Sequence, residues 1–372
     1  MIIGVPKEIK EEEYRVGIVP AGVRMMTEKG HRVLIQTDAG EGCRIPDSEY
    51  RDAGAEIVES AKDLYLKSDM VMKVKEPLEE EYPYLREGLI LYAYLHLAPA
   101  PELTAALLER GVIGVAYETM QLSDGSLPLL TPMSEVAGRM AVQIGAHYLE
   151  KTQGGRGVLL GGVPGVSRGR ITILGAGVVG RAAAKIAVGM GAEVHILDVD
   201  QRRLIYMDDV FGSRVTTLFS HADNIRYSVM HSHLVIGAVL IPGARAPRLV
   251  TRSMVSEMKQ GSVVVDVSID QGGTFETSKP TSHRNPTYVV DDVIHYCVPN
   301  MPGIVARTST FALGNTTLPY ALTLADQGFS EAVASDPTLA GGVNVYKGKV
   351  THEGVAASLD LEYTPLGELL RG

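Results

Sequence analysis

The 372-residue sequence lacks the features that mark secreted, metal-binding and membrane proteins. Its two cysteines, Cys43 and Cys297, are too few and too far apart for a disulfide framework or a zinc site, and we predict no metal. The opening residues MIIGVPKEIK turn charged at once, unlike a basic leader followed by an apolar core. No apolar run approaches the ~20 residues that a membrane span needs. We therefore expect a soluble, cytoplasmic protein without a membrane partner.

The sequence also lacks an excess of positive charge. It has 35 lysines and arginines against 44 aspartates and glutamates, which gives a net charge of -9. Because phosphate contacts need clustered basic side chains, this balance argues against a nucleic-acid partner. The hydrophobic fraction of 45% is ordinary for a globular protein, and the length favours two domains over one.

The most informative stretch that is present runs from Ile171 to Asp198, ITILGAGVVGRAAAKIAVGMGAEVHILD. Its pattern predicts a strand, a glycine turn, an alanine-rich helix and a second strand. Gly175, Gly177 and Gly180 form G-x-G-x-x-G, which allows a tight turn, close approach of a pyrophosphate, and close packing of helix on strand. The helix N-terminus offers its N–H groups to the phosphates. This context favours a dinucleotide site over a glycine-rich turn in an ordinary α/β domain.

Asp198, at the end of the second predicted strand, bears on the choice of dinucleotide. An acid there bonds the ribose hydroxyls and repels a 2′-phosphate, so NAD is favoured over NADP. Arg202 and Arg203 follow, and an arginine in this position can accept a 2′-phosphate. Arg203 can instead lie along the adenosine, or the two arginines can belong to a solvated helix start. The sequence leaves these alternatives open.

The order of predicted elements splits one domain around the other. Alternating strand and helix patterns predict an α/β protein with two doubly wound parallel-sheet domains. A Rossmann NAD-binding domain, residues 131–305, is inserted into a discontinuous βα substrate domain, residues 1–130 and 306–372. Two long helices, near Ser134 and Ala306, are expected to join the lobes, with the chemistry in the cleft between them.

Four expected features make the fold prediction specific. We predict strands at Met70–Lys75 and Leu89–His96 from their apolar composition. Ser134 is expected to open its long helix. The residues after Gly341 are expected to be irregular apart from a hairpin at Val343–Val350.

Polar side chains at the predicted strand ends are the candidates for chemistry, because ligands of parallel α/β sheets bind there. His96 ends its predicted strand and can act as a general acid or base, or it is a structural histidine bonded to backbone. Lys75 lies nearer its strand end than Lys73. It is therefore the better candidate to bind a substrate carboxylate, unless it is a solvated edge-strand lysine.

Three further residues have both a chemical and a structural interpretation. Asp270 ends the buried run VVVDVSID and can orient or deprotonate a water, or it forms a turn before two glycines. Arg15 can clamp a carboxylate bidentately, or it pairs with one of Glu11–Glu13. Ser134 can contact the carboxamide of nicotinamide, or it caps its helix. None is decisive alone, but together they are consistent with a nicotinamide site.

Seven segments resemble, in order, the alanine dehydrogenase family, which is shared with the soluble NAD-binding subunit of proton-translocating transhydrogenase. Each short motif is weak alone, but seven in register are highly specific. They span nearly the whole chain: GVPKEIKEEEYRVGIVP at the start, KVKEP at Lys73–Pro77, AYLHLA at Ala93–Ala98, TPMSEVAGR at Thr131–Arg139, LGAGVVG at Leu174–Gly180, VDVSIDQGG at Val265–Gly273 and VPNMPGIVARTST at Val298–Thr310.

The resemblance implies roles for individual residues. Arg15 and Lys75 are similar to the pair that holds the carboxylate of pyruvate or alanine, and Asn300 is also expected at the substrate. His96 resembles the catalytic acid/base, and Asp270 its catalytic partner. Where this chain has Arg203, the family often has lysine, which keeps the charge. Positions similar to cofactor-contacting residues are Ser134, Gly175, Gly177, Val178, Val179, Gly180, Asp198, Arg203, Ser220, Val239, Leu240, Val267, Ser268, Ile269, Asp270, Val298 and Met301.

The resemblance further implies an activity and an assembly. The expected reaction is NAD-dependent oxidative deamination of L-alanine to pyruvate and ammonia, with the reverse reductive amination, in L-alanine catabolism. A homohexamer is implied as well. The alternative is an NAD(H)-binding subunit of a proton-translocating transhydrogenase. A non-catalytic NAD sensor and a saccharopine-type enzyme of lysine metabolism, whose pocket must admit a long diacid, also remain open.

Overall fold

The computed structural model describes residues 1–240 and 245–371. The chain divides into two compact units. The first combines Met1–Met133 with Gly303–Gly372, and the second is Ser134–Pro302. Each unit contains one sheet, and helices connect most of its strands, so both have α/β architecture.

Strands and helices alternate along most of the chain. The strands are β1 (Ile2–Val5), β2 (Arg32–Gln36), β3 (Glu56–Val58), β4 (Met70–Met72), β5 (Ile90–Ala93), β6 (Ile113–Ala116), β7 (Arg170–Leu174), β8 (Glu193–Asp198), β9 (Val215–Phe219), β10 (Leu234–Gly237), β11 (Val263–Asp266), β12 (Thr287–Val290), β13 (Val293–Tyr296), β14 (Val343–Tyr346) and β15 (Lys349–Val350). The helices are α1 (Pro20–Glu28), α2 (Asp47–Asp52), α3 (Ala61–Lys67), α4 (Pro101–Glu109), α5 (Thr131–Tyr148), α6 (Val178–Gly189), α7 (Gln201–Phe211), α8 (Ala222–His231), α9 (Arg252–Ser256), α10 (Ala306–Gln327), α11 (Phe329–Ser335), α12 (Pro337–Gly342), α13 (Glu353–Leu359) and α14 (Leu366–Arg371).

The first unit is built on an eight-stranded sheet in the order β15-β14-β6-β5-β4-β1-β2-β3. Strands β1 to β6 pair in parallel, and every residue of β4, β5 and β6 is buried, as expected of strands covered on both faces. The β14–β15 hairpin adds to β6 in the antiparallel sense. The segments that follow β1, β4 and β5 carry Arg15, Lys75 and His96.

The second unit is built on a seven-stranded sheet in the order β12-β13-β11-β10-β7-β8-β9. Its strands pair in parallel except β12, which is antiparallel to β13 at the edge. Helix α5 packs closely here because it carries glycines. A Cβ on Gly138 would lie 2.2 Å from the Val179 carbonyl oxygen of α6, and one on Gly145 would lie 2.4 Å from the Leu234 side chain.

The sheets differ in two ways from the sequence prediction. They are mixed rather than purely parallel, since β12, β14 and β15 pair antiparallel. In addition, β4 ends at Met72 rather than Lys75, and β5 ends at Ala93 rather than His96. Two residues after β4 and three after β5, the N–H groups of Val74 and His96 donate to the side-chain carboxylates of Glu8 and Glu118. The catalytic candidates therefore lie in loops, not at the last strand positions.

The long first helix and the chain end also differ from expectation. Helix α5 begins at Thr131, so Ser134 lies in its first turn and does not open it. The hairpin predicted at Val343–Val350 is present as β14 and β15, but the residues after it form helices α13 and α14 rather than an irregular tail.

Two features are absent from the described residues. Within 1–240 and 245–371, no helix is long and apolar enough to cross a membrane. The same residues contain no group of three or more His, Cys, Asp or Glu side chains that could hold a metal ion. Both cysteines are buried free thiols.

Candidate active site

Arg15 is buried in the first unit and is held by a nearby glutamate. Its Nε donates to Glu13 Oε1 at 2.7 Å and its Nη2 to Glu13 Oε2 at 2.5 Å, while Nη1 lies 3.1 Å from the Met133 sulfur. Burial disfavours the charged guanidinium, but the hydrogen bonds and charge of Glu13 outweigh it and raise the pKa of Arg15. Of the two interpretations of Arg15, the ion pair with a nearby glutamate, Glu13, is therefore present. A guanidinium has five N–H donors, so this ion pair does not prevent Arg15 from also binding a substrate carboxylate.

Lys75 supplies a second cation close to Arg15. Its backbone N–H and that of Val74 donate to Glu8 Oε1 at 3.3 and 2.6 Å, which anchors the segment after β4. Burial, and then the charges of Arg15 and Lys10, lower the pKa of the Lys75 ammonium. In the part of the chain that the structure describes, its Nζ donates no hydrogen bond. A half-buried ammonium beside a guanidinium favours a carboxylate ligand.

Lys73 is committed instead to a buried network. Its Nζ lies 2.8 Å from Glu81 Oε1 and 3.3 Å from Glu8 Oε2, and the Tyr65 hydroxyl donates to Glu81 Oε1 at 2.7 Å. Burial raises the pKa of the Glu8 carboxyl, although Lys73 opposes this. These contacts give Lys73 a structural role and leave Lys75 as the lysine able to bind a ligand.

His96 lies in the loop after β5 with an unusual backbone. Its φ of 48° is in the left-handed region, which is costly for a residue other than glycine. The side chain is 43% exposed, and its ring stacks on that of Tyr94 with centroids 5.9 Å apart. Burial raises the pKa of the Tyr94 phenol, and Arg15 is close enough to oppose this shift. The first unit therefore brings the histidine and the two cations into one neighbourhood.

Glu118 holds His96 and was not identified from the sequence. Its Oε1 accepts the His96 N–H at 2.6 Å, its Oε2 accepts the Leu95 N–H at 3.2 Å, and its Oε1 lies 4.0 Å from His96 Nδ1. Glu118 is in the 3-10 turn Tyr117–Thr119 after β6, the neighbour of β5. The available signal was an acid that follows the apolar segment Ile113–Ala116.

The glycine turn in the second unit has the shape that a dinucleotide requires. Gly175 has φ of 104°, and a Cβ on Gly180 would lie 1.8 Å from the Gly175 carbonyl oxygen. A Cβ on Gly177, in contrast, would meet only Arg203 Nη1 at 3.9 Å, so this side of the turn has room for a ligand. Gly177 caps the twelve-residue helix α6 without a side chain, which leaves the N–H groups of the first turn to bind phosphate.

Asp198 accepts hydrogen bonds from the backbone, and the two arginines that follow it, Arg202 and Arg203, lie in different environments. Asp198 is buried, and its carboxylate accepts the N–H of Ala176 at 2.7 Å and of Asp200 at 2.8 Å. Arg203 Nη1 lies 3.5 Å from Asp198 Oδ2, so this arginine lies against the glycine turn. Arg202 pairs with Asp200 and is almost fully exposed, which is the solvated helix start.

Asp270 lies on a turn that a second aspartate organises. The turn Val267–Gln271 follows β11, and the Asp270 side chain on it is exposed. Asp266, 1% exposed, accepts the N–H groups of Ser268 at 3.1 Å and Thr274 at 2.8 Å, and the hydroxyls of Thr274 at 3.1 Å and Ser278 at 2.6 Å. Asp266 is the last residue of β11, and its place in an apolar run did not indicate that it holds this turn.

The remaining predicted cofactor positions of the second unit follow its parallel strands. Ser220 comes after β9, and its N–H donates to the Asp198 carbonyl at 3.0 Å. Val239 and Leu240 come after β10, and the Val239 carbonyl accepts the Ser268 hydroxyl at 2.7 Å. After β13 come Val298, Asn300 with a left-handed φ of 55°, and Met301. All these loops emerge at the carboxyl ends of strands, where dinucleotides bind in such sheets.

Comparison with protein families identifies both parts of the chain. The N-terminal domain of "Alanine dehydrogenase/PNT" matches residues 4–137, and its C-terminal domain matches residues 141–353. This chain belongs to the alanine dehydrogenase/PNT family. Among individual members of the family, it is 58% identical over 371 residues to an alanine dehydrogenase of Methanococcus maripaludis, and 57% identical over 372 residues to alanine dehydrogenase 2 of Staphylococcus aureus, with full coverage of each protein.

Solved structures of the family agree with this assignment. An L-alanine dehydrogenase superposes with a TM-score of 0.94 at 54% identity, covering 97% of this chain and 99% of the other. A transhydrogenase from Sinorhizobium meliloti superposes with a TM-score of 0.82 at 27% identity, covering 95% and 99%. Alanine dehydrogenases are thus more similar to this chain than that transhydrogenase is.

Proposed function

We propose that this protein is an NAD-dependent alanine dehydrogenase, which converts L-alanine and water to pyruvate and ammonia and catalyses the reverse reaction. The observation that carries this proposal is the pair of Arg15 and Lys75, two buried or half-buried cations beside His96 in a chain that also has a dinucleotide turn. A protein that only binds NAD has no need of a carboxylate site.

Two features of the second unit suit NAD: the open space beside Gly177 and the carboxylate of Asp198 at the end of β8. Gly177 and the first turn of α6 would hold the pyrophosphate. Asp198 disfavours a 2′-phosphate, and Arg203 pairs with it rather than standing free for one. When bound, the nicotinamide accepts the α-hydride of the substrate.

The first unit binds and orients the amino acid. Arg15 and Lys75 hold the carboxylate of alanine. Once its amino group has lost a proton to solvent, loss of the α-hydride leaves an iminium, the protonated imine, on the former alanine. Water adds to this iminium, and a base takes its proton. The resulting carbinolamine collapses to pyruvate, with transfer of a proton to the departing ammonia.

His96 and Asp270 are the groups proposed to move these protons, and Asn300 is proposed to contact the substrate. The His96 imidazole has two ring nitrogens, through which it can both accept and donate a proton. Glu118 orients its loop through the two backbone hydrogen bonds. Asp270 is exposed on its turn and can orient or deprotonate the water.

The proposed assembly is a homohexamer in the cytoplasm, serving L-alanine catabolism. Self-association is supported by three apolar side chains in the loop between α5 and β7, Leu159, Val163 and Val166, each more than half exposed. Sedimentation velocity tests the assembly. A monomer at micromolar concentration would contradict it.

A direct assay separates the proposed activity from its alternatives. Purified protein is supplied with NAD and a panel of L-amino acids, and NADH formation is followed by absorbance. We expect alanine to be the preferred substrate. A transhydrogenase subunit or an NAD sensor would bind NADH without alanine-dependent reduction, and a saccharopine-type enzyme would require a long diacid.

A further inference from the structure

A cluster of basic side chains lies at the amino edge of the second sheet, away from the groups assigned above. It combines Arg170 at the start of β7, His233 just before β10, Lys259 after α9, and Arg156. The glycine turn follows the other end of β7, a strand of five residues. At about 3.3 Å per residue, the two edges are roughly 16 Å apart. The cluster is therefore separate from the proposed pyrophosphate site.

The backbone fixes the His233 ring and its protonation. The Arg170 N–H donates to His233 Nδ1 at 3.0 Å, and the His233 N–H donates to the Arg170 carbonyl at 2.9 Å. A ring nitrogen that accepts an N–H carries no proton of its own. Burial, followed by Lys259, Arg156 and Arg170, lowers the pKa of His233 to about 4, so the ring is neutral at pH 7. Its single proton is therefore on Nε2.

This tautomer leaves two donors facing each other. Lys259 Nζ lies 3.4 Å from His233 Nε2 and also donates to the His231 carbonyl at 3.0 Å. An ammonium can only donate, and Nε2–H can only donate. The geometry is thus that of two neighbouring donors that one acceptor atom could bridge.

The charges of the cluster favour an anionic acceptor. Arg170 is paired with Glu193 through Nε at 2.9 Å and Nη2 at 2.7 Å. Arg156 and Lys259 add two more cations. The pKa of Lys259 is lowered mainly by burial, and the charges of Arg156 and Arg170 lower it further. Three cations against one carboxylate leave an excess of two positive charges, in a chain whose net charge is -9.

Arg156 is held beside this pair by backbone contacts. Its N–H donates to the Gly261 carbonyl at 2.8 Å, and its Nη1 donates to the Gln260 carbonyl at 3.1 Å. Gly261 has φ of 75°, and a Cβ there would lie 2.8 Å from the Arg156 nitrogen. The turn after Lys259 therefore accepts the Arg156 backbone at close range.

We propose that Lys259 Nζ, the Nε2–H of His233 and the guanidinium of Arg156 form a binding site for a small oxyanion such as inorganic phosphate. The oxyanion supplies the acceptor that the two facing donors share, and its charge balances the excess of cations. This proposal does not rest on the alanine dehydrogenase activity, because it concerns an edge of the sheet that the reaction does not use.

The test is lysine acylation followed by mass spectrometry, with phosphate as the probe. NADH is kept saturating to occupy the pyrophosphate site, and chloride at matched ionic strength is the reference. At phosphate of about ten times its Kd, labelling of Lys259 should fall about tenfold, because about nine-tenths of the sites are then occupied. Lys62, exposed on α3, is the internal control and should label equally under both conditions.

Variants link the protection to this cluster. Phosphate should raise the melting temperature of the wild type and of Lys62→Gln, but not of Lys259→Gln. Arg156→Gln changes an exposed side chain and should weaken phosphate protection of Lys259 without preventing folding.

Three results would overturn the proposal. Fast labelling of Lys259 with and without phosphate would mean that a neutral amine accepts the His233 proton. Slow labelling of Lys259 without any added anion would mean that an acidic side chain of a second copy of the chain occupies the proposed oxyanion site. A melting temperature that responds to phosphate equally in Lys259→Gln and the wild type would place the anion elsewhere.

Discussion

The strand-end segments of the first unit present charged side chains, whereas those of the second unit present mainly backbone. In the first, Arg15, Lys75 and His96 are each held by a carboxylate, from Glu13, Glu8 and Glu118. In the second, glycines without side chains form the phosphate turn. The difference matches the ligands. A small carboxylate needs point charges in fixed places, and a long dinucleotide needs shape and N–H groups.

Loss of the His96 imidazole should have the largest effect on turnover. We expect His96→Asn to lower kcat for alanine oxidation about 10²–10⁴-fold, the usual contribution of a general acid or base. NADH binding, measured by fluorescence titration, should stay within the wild-type range because His96 belongs to the other unit. Near-normal turnover would remove His96 from the mechanism and weaken the comparison of the two units.

Filling the glycine turn should weaken cofactor binding, which the substitution of His96 should leave unchanged. A Cβ on Gly180 would lie 1.8 Å from the Gly175 carbonyl oxygen, so Gly180→Ala must distort the turn, at a cost of about 1–3 kcal/mol of overpacking. We expect NADH affinity to fall at least about tenfold. Gly189→Ala, in the same helix with nothing within 4 Å of the new Cβ, is the matched control. Equal affinities of the two variants would contradict the assigned role of the turn.

The carboxylate of Glu118 should have an intermediate effect, limited to the first unit. Glu118→Gln keeps the size of the side chain but weakens the hydrogen bonds to the His96 and Leu95 N–H groups, since bonds to charged acceptors are worth about 1.5–3 kcal/mol. We expect kcat to fall about tenfold with little change in the KM for NAD. If the KM for NAD rose and kcat did not change, Glu118 would not be a positioning residue for His96.

The smallest effect concerns the pH dependence of substrate binding. The pKa of Lys75 is lowered by burial and by Arg15 and Lys10, so its ammonium loses its proton at a lower pH than an ordinary lysine. Above that pH the carboxylate loses one of its cations, and the KM for pyruvate should rise on the alkaline side. In Lys75→Arg the charge persists, so the rise should move to higher pH. Parallel KM profiles in the two proteins would argue against a carboxylate on Lys75.

The sequence indicated candidates for the reacting groups, but it did not indicate the side chains that hold them. Strand ends can be located because buried parallel strands are apolar throughout, and Lys75 and Asp270 stand close to such ends. The side chains that hold these segments in place come from distant parts of the sequence. Glu8 precedes the Lys75 segment by 67 residues, and neither spacing nor propensity indicates which acid meets which amide.

Two conformational features were beyond prediction for a related reason. The β14–β15 hairpin could be read from its turn, but its pairing with β6 depends on which sheet edge the rest of the chain leaves available. The left-handed backbone of His96 is uncommon for a residue other than glycine, and Glu118 holds it by accepting the N–H groups of Leu95 and His96.

The left-handed His96 backbone limits what evolution or a mutant library can place at this position. Glycine adopts such a φ without strain, and asparagine tolerates it better than most residues, whereas β-branched residues do not. In a saturation library at position 96, protein abundance should therefore rank glycine and asparagine above valine and isoleucine, while activity should be retained by histidine alone. Fold fitness and catalytic fitness would follow different orders at this one site.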